Sequence, residues 1–190
     1  MTKFILHGGF ASADNELNRS FFREIINSVP DGGVVLLVEF AGVGDTQENY
    51  FQNDKESFVR NASGKRLEFI LATEEAFIDQ LEEADAIFIR GGDTPKLLET
   101  MKKFPNFEKL IDGKVVAGSS AGAQVLSTYF HRSQTGEILE GLGIIPIRFA
   151  PHYKSDKFEF GDDAPEKLAK YPKELELVVL KDFEWRVFEK

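Results

Sequence analysis

Short apolar runs bounded by glycine, proline or charged residues recur along the chain and predict buried strands. They lie at residues 3–6, 34–38, 67–71, 86–89, 115–117 and 144–150. The run at 34–38 is apolar throughout and mostly β-branched, which is expected where helices cover both faces of a parallel sheet. These runs therefore predict the central strands of an α/β protein.

The segments between these runs carry helical periodicity. Between residues 15 and 28, apolar side chains recur at intervals of three and four and form one buried stripe: Leu17, Phe21, Phe22, Ile25, Ile26 and Val29. Further helices are predicted around residues 50–59, over 73–83, from Pro95 with Thr94 as its cap, and over 121–130.

This alternation predicts a doubly wound, mostly parallel sheet flanked by helices, in a flavodoxin-like three-layer sandwich. Residues 175–180 and 183–188 depart from it and predict a C-terminal hairpin. Ligands bind such sheets at the carboxyl ends of the strands. Three glycine-containing loops follow predicted strands and should meet there: residues 7–9, 91–93 and 118–122.

Length and composition narrow the protein class. We expect residues 1–190 to form a single domain, and 42% hydrophobic residues are typical of a globular protein. A net charge of −9 disfavours nucleic acid as a partner. The chain shows no signal peptide or membrane-length apolar run, so we expect no membrane partner and a cytoplasmic location. The absence of cysteine leaves serine, threonine, lysine or a carboxylate as nucleophile.

Ser120 is the candidate nucleophile. It lies between Gly118 and Gly122, after an apolar strand and before a helix, which is the pattern of a nucleophile elbow. In this turn the N–H of Ala121 faces a developing oxyanion. The alternative interpretation is a tightly packed or phosphate-binding turn, but the lysine of a P-loop is absent.

The chain has three histidines, and each is a candidate for the general base. On the predicted helix, His131 would lie roughly 16 Å from Ser120, out of reach. His7 ends the first strand and is equally interpretable as an incidental loop residue. His152 follows a predicted strand and can reach the carboxyl edge of the sheet, so it is our choice. The N–H of Gly92 is a candidate second oxyanion donor, although an ordinary helix-capping turn explains the same residues.

Three motifs together resemble the dipeptidase E and cyanophycinase family of serine peptidases. They are residues 118–123, residues 91–94 followed by Leu97 and Leu98, and the stretch from Gly141 to Tyr153. The resemblance implies a class I glutamine-amidotransferase-like fold with serine replacing cysteine, and it requires no cofactor or metal. It also implies attack by Ser120, proton transfer to His152, and an oxyanion hole formed by the N–H groups of Gly92 and Ala121.

The sequence departs from this family at the acidic residue of the catalytic triad. Family members resembling dipeptidase E carry an acidic residue between the serine and the histidine, but residues 127–136 contain none. Glu137 is our choice for the triad acid, with Glu140 and Asp156 as neighbouring candidates and a solvated loop charge as the alternative interpretation. Arg90 also stands where a third glycine is common.

The function expected from the sequence is hydrolysis of short peptides by a serine peptidase. An esterase with the same elbow is one alternative, which the short chain after Ser120 disfavours. A non-catalytic relative that binds a small molecule is the other. The sequence leaves open whether the protein is a monomer or a homodimer.

Overall fold

The computed structural model describes residues 1–42 and 46–190. The strands are β1 Lys3–His7, β2 Gly33–Val38, β3 Leu67–Leu71, β4 Ala86–Ile89, β5 Val115–Ser119, β6 Ser127–His131, β7 Ile138–Glu140, β8 Ile145–Ala150, β9 Glu176–Val179 and β10 Trp185–Glu189. The helices are α1 Glu16–Asn27, α2 Gln47–Asn61, α3 Phe77–Glu83, α4 Thr94–Met101, α5 Phe107–Leu110, α6 Ala121–Leu126 and α7 Ala164–Leu168.

Six strands form the main sheet in the order β10-β1-β5-β4-β2-β3. All neighbours in it are parallel except β10, which runs antiparallel to β1. The predicted doubly wound, mostly parallel sheet flanked by helices is thereby confirmed. Because β1, β4 and β5 are adjacent and parallel, the three loops that follow them emerge at one edge.

The two faces of the main sheet bury different side chains of the same strands. In β2, Val35 and Leu37 pack with α1 and α2, whereas Leu36 and Val38 pack with the helices and strands of the opposite layer. This alternation follows from the two-residue period of a strand. Phenylalanines fill much of the α1 and α2 side, where Phe21, Phe22, Phe58 and Phe88 are all buried.

A second sheet lies on the opposite layer and contains β7-β6-β8-β9 in that order. Of its two inner strands, β8 runs parallel to both β6 and β9. The helix predicted over 121–130 is corrected here, since α6 ends at Leu126 and β6 begins at Ser127. Residues 128–130 are Thr, Tyr and Phe, which favour a strand once β8 supplies a partner.

The two C-terminal strands predicted from the sequence are present as β9 and β10. The chain turns between them, and each strand pairs with a different sheet, β9 with β8 and β10 with β1. The turn from Leu180 to Glu184 therefore connects the two sheets. Among the described residues, no helix has both the length and the apolar character needed to cross a bilayer.

Candidate active site

Ser120 occupies a strained turn between β5 and α6. Its backbone has φ 50° and ψ −109°, in the left-handed half of conformational space that non-glycine residues rarely adopt. A Cβ at Gly118 would lie 2.6 Å from the carbonyl carbon of Gly122, and one at Gly122 would lie 2.0 Å from the backbone oxygen of Ile89. Both flanking positions therefore require glycine, as the elbow interpretation predicts.

His152 lies against the Ser120 hydroxyl. Its Nε2 is 2.8 Å from Ser120 Oγ, although the two residues are far apart in the chain. His152 follows β8, and its backbone N–H donates to the oxygen of Gly8 at 3.0 Å. The structure thus brings together the serine and the histidine chosen from the sequence.

Asp182 lies on the other side of the imidazole. Its Oδ1 is 2.6 Å from His152 Nδ1. A carboxylate only accepts, so Nδ1 carries the proton, and in the neutral ring Nε2 accepts from the Ser120 hydroxyl. Ser120, His152 and Asp182 therefore form a continuous hydrogen-bonded chain with the geometry of a catalytic triad.

The choice of Glu137 as the acid is corrected by this arrangement. Glu137 lies on the surface just before β7, where its side chain is 58% exposed and accepts from Arg132 at 3.1 Å and from Thr135 at 2.7 Å. Its alternative interpretation as a solvated loop charge describes this position.

Asp182 was missed because its proximity to His152 depends on strand pairing. Strands β8 and β9 are parallel with Ala150 opposite Val179, so the residues that follow them leave the sheet side by side. The N–H of Tyr153 donates to the oxygen of Leu180 at 3.0 Å and extends this pairing. The sequence shows an aspartate just after a predicted strand, but the local pattern does not indicate that this aspartate lies next to His152.

The His152 ring is enclosed by aromatic side chains and glycine backbone. The ring centroids of Phe10 and Phe158 lie 4.9 and 4.4 Å from that of His152. A Cβ at Gly9 would lie 1.9 Å from His152 Cε1, so only glycine fits beneath the ring. Burial lowers the pKa of His152, and the hydrogen bond that the ring donates to Asp182 opposes that effect. The net shift is downward, which favours the neutral ring.

The glycine turn after β4 packs directly on the elbow. A Cβ at Gly91 would lie 2.9 Å from the oxygen of Ser119 and 3.1 Å from Ser120 Cβ. Gly92 has φ 153° and its added Cβ would lie 2.5 Å from the oxygen of Ala41. Within the described part of the chain, the N–H groups of Gly92 and Ala121 donate to no protein acceptor. Among the described residues both predicted oxyanion donors are thus unpaired, and Gly92 lines the same pocket as Ser120.

A pocket of about 230 Å³ opens over Ser120 and His152, and Phe10 and Phe158 line it together with Asp54 and Arg90. Arg90 donates to Asp54 and its guanidinium lies 4.3 Å from the ring centroid of Tyr50.

A second carboxyl lies behind Arg90, since Glu39 is 3.9 Å from its Nε. Burial raises the pKa of Glu39 to about 9, with a further contribution from the nearby charge of Asp54. Burial also raises the pKa of Asp54, and Arg90 opposes it. Because Glu39 holds its proton, it adds no negative charge beside the ion pair of Arg90 and Asp54 at the pocket wall.

His131, another of the three histidines, lies away from this chain of contacts. It ends β6, is fully buried, and has its Nε2 3.5 Å from Asp163 Oδ1.

Comparisons with known proteins show which family and which folds the chain is similar to. The model of peptidase family S51 matches residues 4–189. A crystal structure of a peptidase from an acI-B1 Actinobacterium has 23% identity and a TM-score of 0.68, covering 99% of this chain and 83% of that one. A putative peptidase E protein from Listeria monocytogenes EGD-e has 19% identity and a TM-score of 0.69, covering 100% and 98%. No match to a curated protein was found. At these identities the two structures establish a shared fold.

Proposed function

Because the chain belongs to peptidase family S51 and is therefore a serine peptidase, we propose that it hydrolyses short peptides through an acyl-enzyme on Ser120. The observation that carries this proposal is the chain of two hydrogen bonds from Ser120 Oγ to His152 Nε2 and from His152 Nδ1 to Asp182. The resemblance to the dipeptidase E family seen in the sequence motifs is confirmed by the family match.

In this mechanism His152 is the general base. Its Nε2 takes the hydroxyl proton as Ser120 Oγ attacks the scissile carbonyl, and the resulting imidazolium is stabilised by Asp182. The imidazolium then protonates the leaving amine as the C–N bond breaks. Water attacks the acyl-enzyme with His152 again acting as base, which releases the acid and restores Ser120.

The N–H groups of Gly92 and Ala121 are the proposed oxyanion donors. Ala121 directly follows Ser120 and Gly92 lines the same pocket, and within the described chain neither N–H has a protein acceptor, so both are free to donate to the negative oxygen of the tetrahedral intermediate. Loss of one such donor costs on the order of 10²-fold to 10³-fold in rate in serine proteases.

The size of the pocket supports a short peptide as substrate. A volume of about 230 Å³ suits one or two amino-acid residues rather than an extended polypeptide. The pocket places apolar rings of Phe10 and Phe158 next to the polar pair of Arg90 and Asp54. A substrate with both apolar and polar groups fits this lining.

A fluorophosphonate probe and a dipeptide panel test the proposal together. We expect wild-type protein to acquire one adduct by intact mass and to cleave members of the panel. Ser120→Ala should abolish both, and His152→Ala should slow both. Ser119→Ala is the matched control, because it removes the adjacent hydroxyl and should leave the adduct in place.

Three outcomes would contradict the proposal. An unlabelled wild-type protein that cleaves no dipeptide would indicate a non-catalytic binding protein. Labelling at Ser120 together with activity on short-chain esters alone would indicate an esterase. An adduct that survives Ser120→Ala would place the nucleophile elsewhere.

A further inference from the structure

Two fully enclosed polar side chains near the active site have no role in the mechanism above. His7 ends β1 with no exposed surface, and Asn18 lies on α1 with 2% of its surface exposed. His7 Nε2 is 2.9 Å from Asn18 Oδ1. Burying such groups is unfavourable unless their hydrogen bonds are satisfied, so their partners show what they hold in place.

Both side chains hydrogen-bond to the loop that follows β1. The N–H of Gly9 donates to His7 Nδ1 at 3.0 Å. Asn18 Nδ2 donates to the backbone oxygens of Phe10 at 2.8 Å and Ala13 at 2.7 Å. The donors and acceptors are consistent throughout, since Nδ1 accepts, Nε2–H donates to the amide oxygen, and the amide nitrogen donates to two carbonyls. The loop is thus fixed at three backbone positions.

The same loop contacts both catalytic partners of Ser120. The oxygen of Gly8 accepts from the N–H of His152, and the Phe10 ring packs on the imidazole. The oxygen of Gly9 accepts from the N–H of Phe183 at 3.2 Å, and the N–H of Gly8 donates to Glu184 at 2.8 Å. Residues 183 and 184 directly follow Asp182, so the loop holds the Asp182 turn as well as His152.

We propose that His7 and Asn18 are positioning residues for the triad. They fix the loop at residues 8–10, which places the His152 ring and the Asp182 turn in line with Ser120. This inference rests on the proposed function, because it assigns a role in the reaction of Ser120. A displacement of about 1 Å at a reacting group lowers the rate by on the order of 10²-fold, so the hydrogen bonds of this loop matter for rate.

His7 is not the base of a second nucleophile. Ser119 Oγ lies 3.4 Å from His7 Nδ1, but that nitrogen already accepts the Gly9 N–H. Burial, the largest influence, lowers the pKa of His7 to about 4, so the ring is neutral at neutral pH and Nδ1 keeps its lone pair. His7 therefore acts as a fixed hydrogen-bond bridge.

Asn18→Leu is the main test, because leucine has a similar volume and forms none of the three hydrogen bonds. We expect kcat on a cleaved dipeptide to fall about 10-fold to 100-fold while KM changes less than about threefold. The rate of fluorophosphonate labelling per folded molecule should fall equally. The low-field proton resonance of His152 Nδ1–H, identified by its absence in Asp182→Asn, should weaken or disappear.

Gln80→Leu is the matched control. Gln80 also ties a loop to a helix, accepting from the N–H of Thr73 and donating to the oxygen of Leu71, but it lies outside the active site. We expect Gln80→Leu to lower thermal stability and to leave kcat, labelling rate and the His152 resonance unchanged. A purely structural role for Asn18 would give the same pattern in Asn18→Leu.

The pair His7→Asn and His7→Leu keeps the test decisive if Asn18→Leu does not fold. The Oδ1 of asparagine lies near the position of Nδ1 and can accept the Gly9 N–H, whereas leucine cannot. We expect His7→Asn to retain more kcat than His7→Leu at similar stability. Wild-type kcat in folded Asn18→Leu, or equal activity in the two His7 variants, would overturn this inference while leaving the proposed function intact. A wild-type protein without labelling or cleavage would overturn the proposed function first.

Discussion

Asp182→Asn replaces one carboxylate oxygen of the triad with an amide nitrogen. The side chain keeps its shape, but its hydrogen-bonding chemistry changes. The asparagine amide fits the same space, but its Nδ2 donates where the carboxylate accepted. Facing Nδ2, His152 Nδ1 becomes the acceptor and the ring proton moves to Nε2. That nitrogen then points a proton at Ser120 Oγ and is unable to take the hydroxyl proton.

The expected loss of activity is large because the hydrogen bond between His152 and Asp182 is short and mostly buried. Asp182 Oδ1 lies 2.6 Å from His152 Nδ1, and the side chains of Asp182 and His152 are 19% and 5% exposed, respectively. The corresponding substitution in a serine protease with the same triad lowers kcat by about 10⁴-fold. We expect a fall of about 10³-fold to 10⁴-fold here, or about 4 to 5.5 kcal/mol of transition-state stabilisation at 1.36 kcal/mol per tenfold.

The assay measures kcat/KM on a cleaved dipeptide for the wild type, Asp182→Asn and Glu137→Gln. Glu137→Gln is the control, because it makes the same carboxylate-to-amide change on an exposed side chain that bonds to Arg132 and Thr135. We expect it to stay within about twofold of the wild type, as surface changes do. Comparable activity in wild type and Asp182→Asn, or a large loss in Glu137→Gln, would refute the assignment of Asp182.

The pH profile gives a second measure of the same contact. The neutral form of His152 is the active base, so kcat/KM falls as pH drops through the pKa of His152. Burial lowers this pKa and the hydrogen bond that His152 donates to Asp182 raises it. Removing the carboxylate therefore moves the acidic limb of the residual activity to lower pH. A limb that moves to higher pH would contradict the stated balance.

Two further predictions concern stability. Gly122→Ala should cost about 1 to 3 kcal/mol or more in urea unfolding and abolish labelling of Ser120, because its Cβ meets the Ile89 oxygen. Gly113→Ala, whose Cβ meets nothing within 4 Å, should cost about 1 to 2 kcal/mol for its left-handed backbone and retain labelling. The unfolding free energy of the wild type should decline between about pH 7.5 and about 9, since folded Glu39 holds its proton over that range, whereas the histidines with lowered pKa values act in the opposite direction only at lower pH. Glu39→Gln should remove this decline, of up to about 1.4 kcal/mol per pH unit, in urea titrations at about pH 7.5 and about pH 8.5.

The elements with strong local signals were predictable from sequence. Strands β3 and β4 begin and end where the apolar runs indicated, because each run is short and directly preceded by a charged residue. The elbow was predictable for a steric reason, since the clashes at Gly118 and Gly122 leave glycine as the residue that fits. The start of α4 was predicted one residue late, because Asp93 and not Thr94 accepts from the N–H of Lys96.

The second sheet was not predictable from local pattern. Residues 121–130 read as one helix because their apolar spacing fits a helical stripe, yet the strand β6 begins at Ser127. The choice between helix and strand there depends on β8, which follows well downstream in the chain. Intrinsic preference is weak enough for such a tertiary partner to decide the outcome.

The position of the triad acid has the same physical origin. Ser120 comes from the main sheet, whereas His152 and Asp182 come from the ends of β8 and β9 in the second sheet. The active site therefore exists only where the two sheets meet, and the loop after β1 joins them, since the oxygens of Gly8 and Gly9 accept from the N–H groups of His152 and Phe183. A small relative shift of the sheets would lengthen the Ser120 to His152 contact while leaving each sheet's own hydrogen bonds intact. Activity should for this reason be more sensitive than stability to substitutions that loosen this loop.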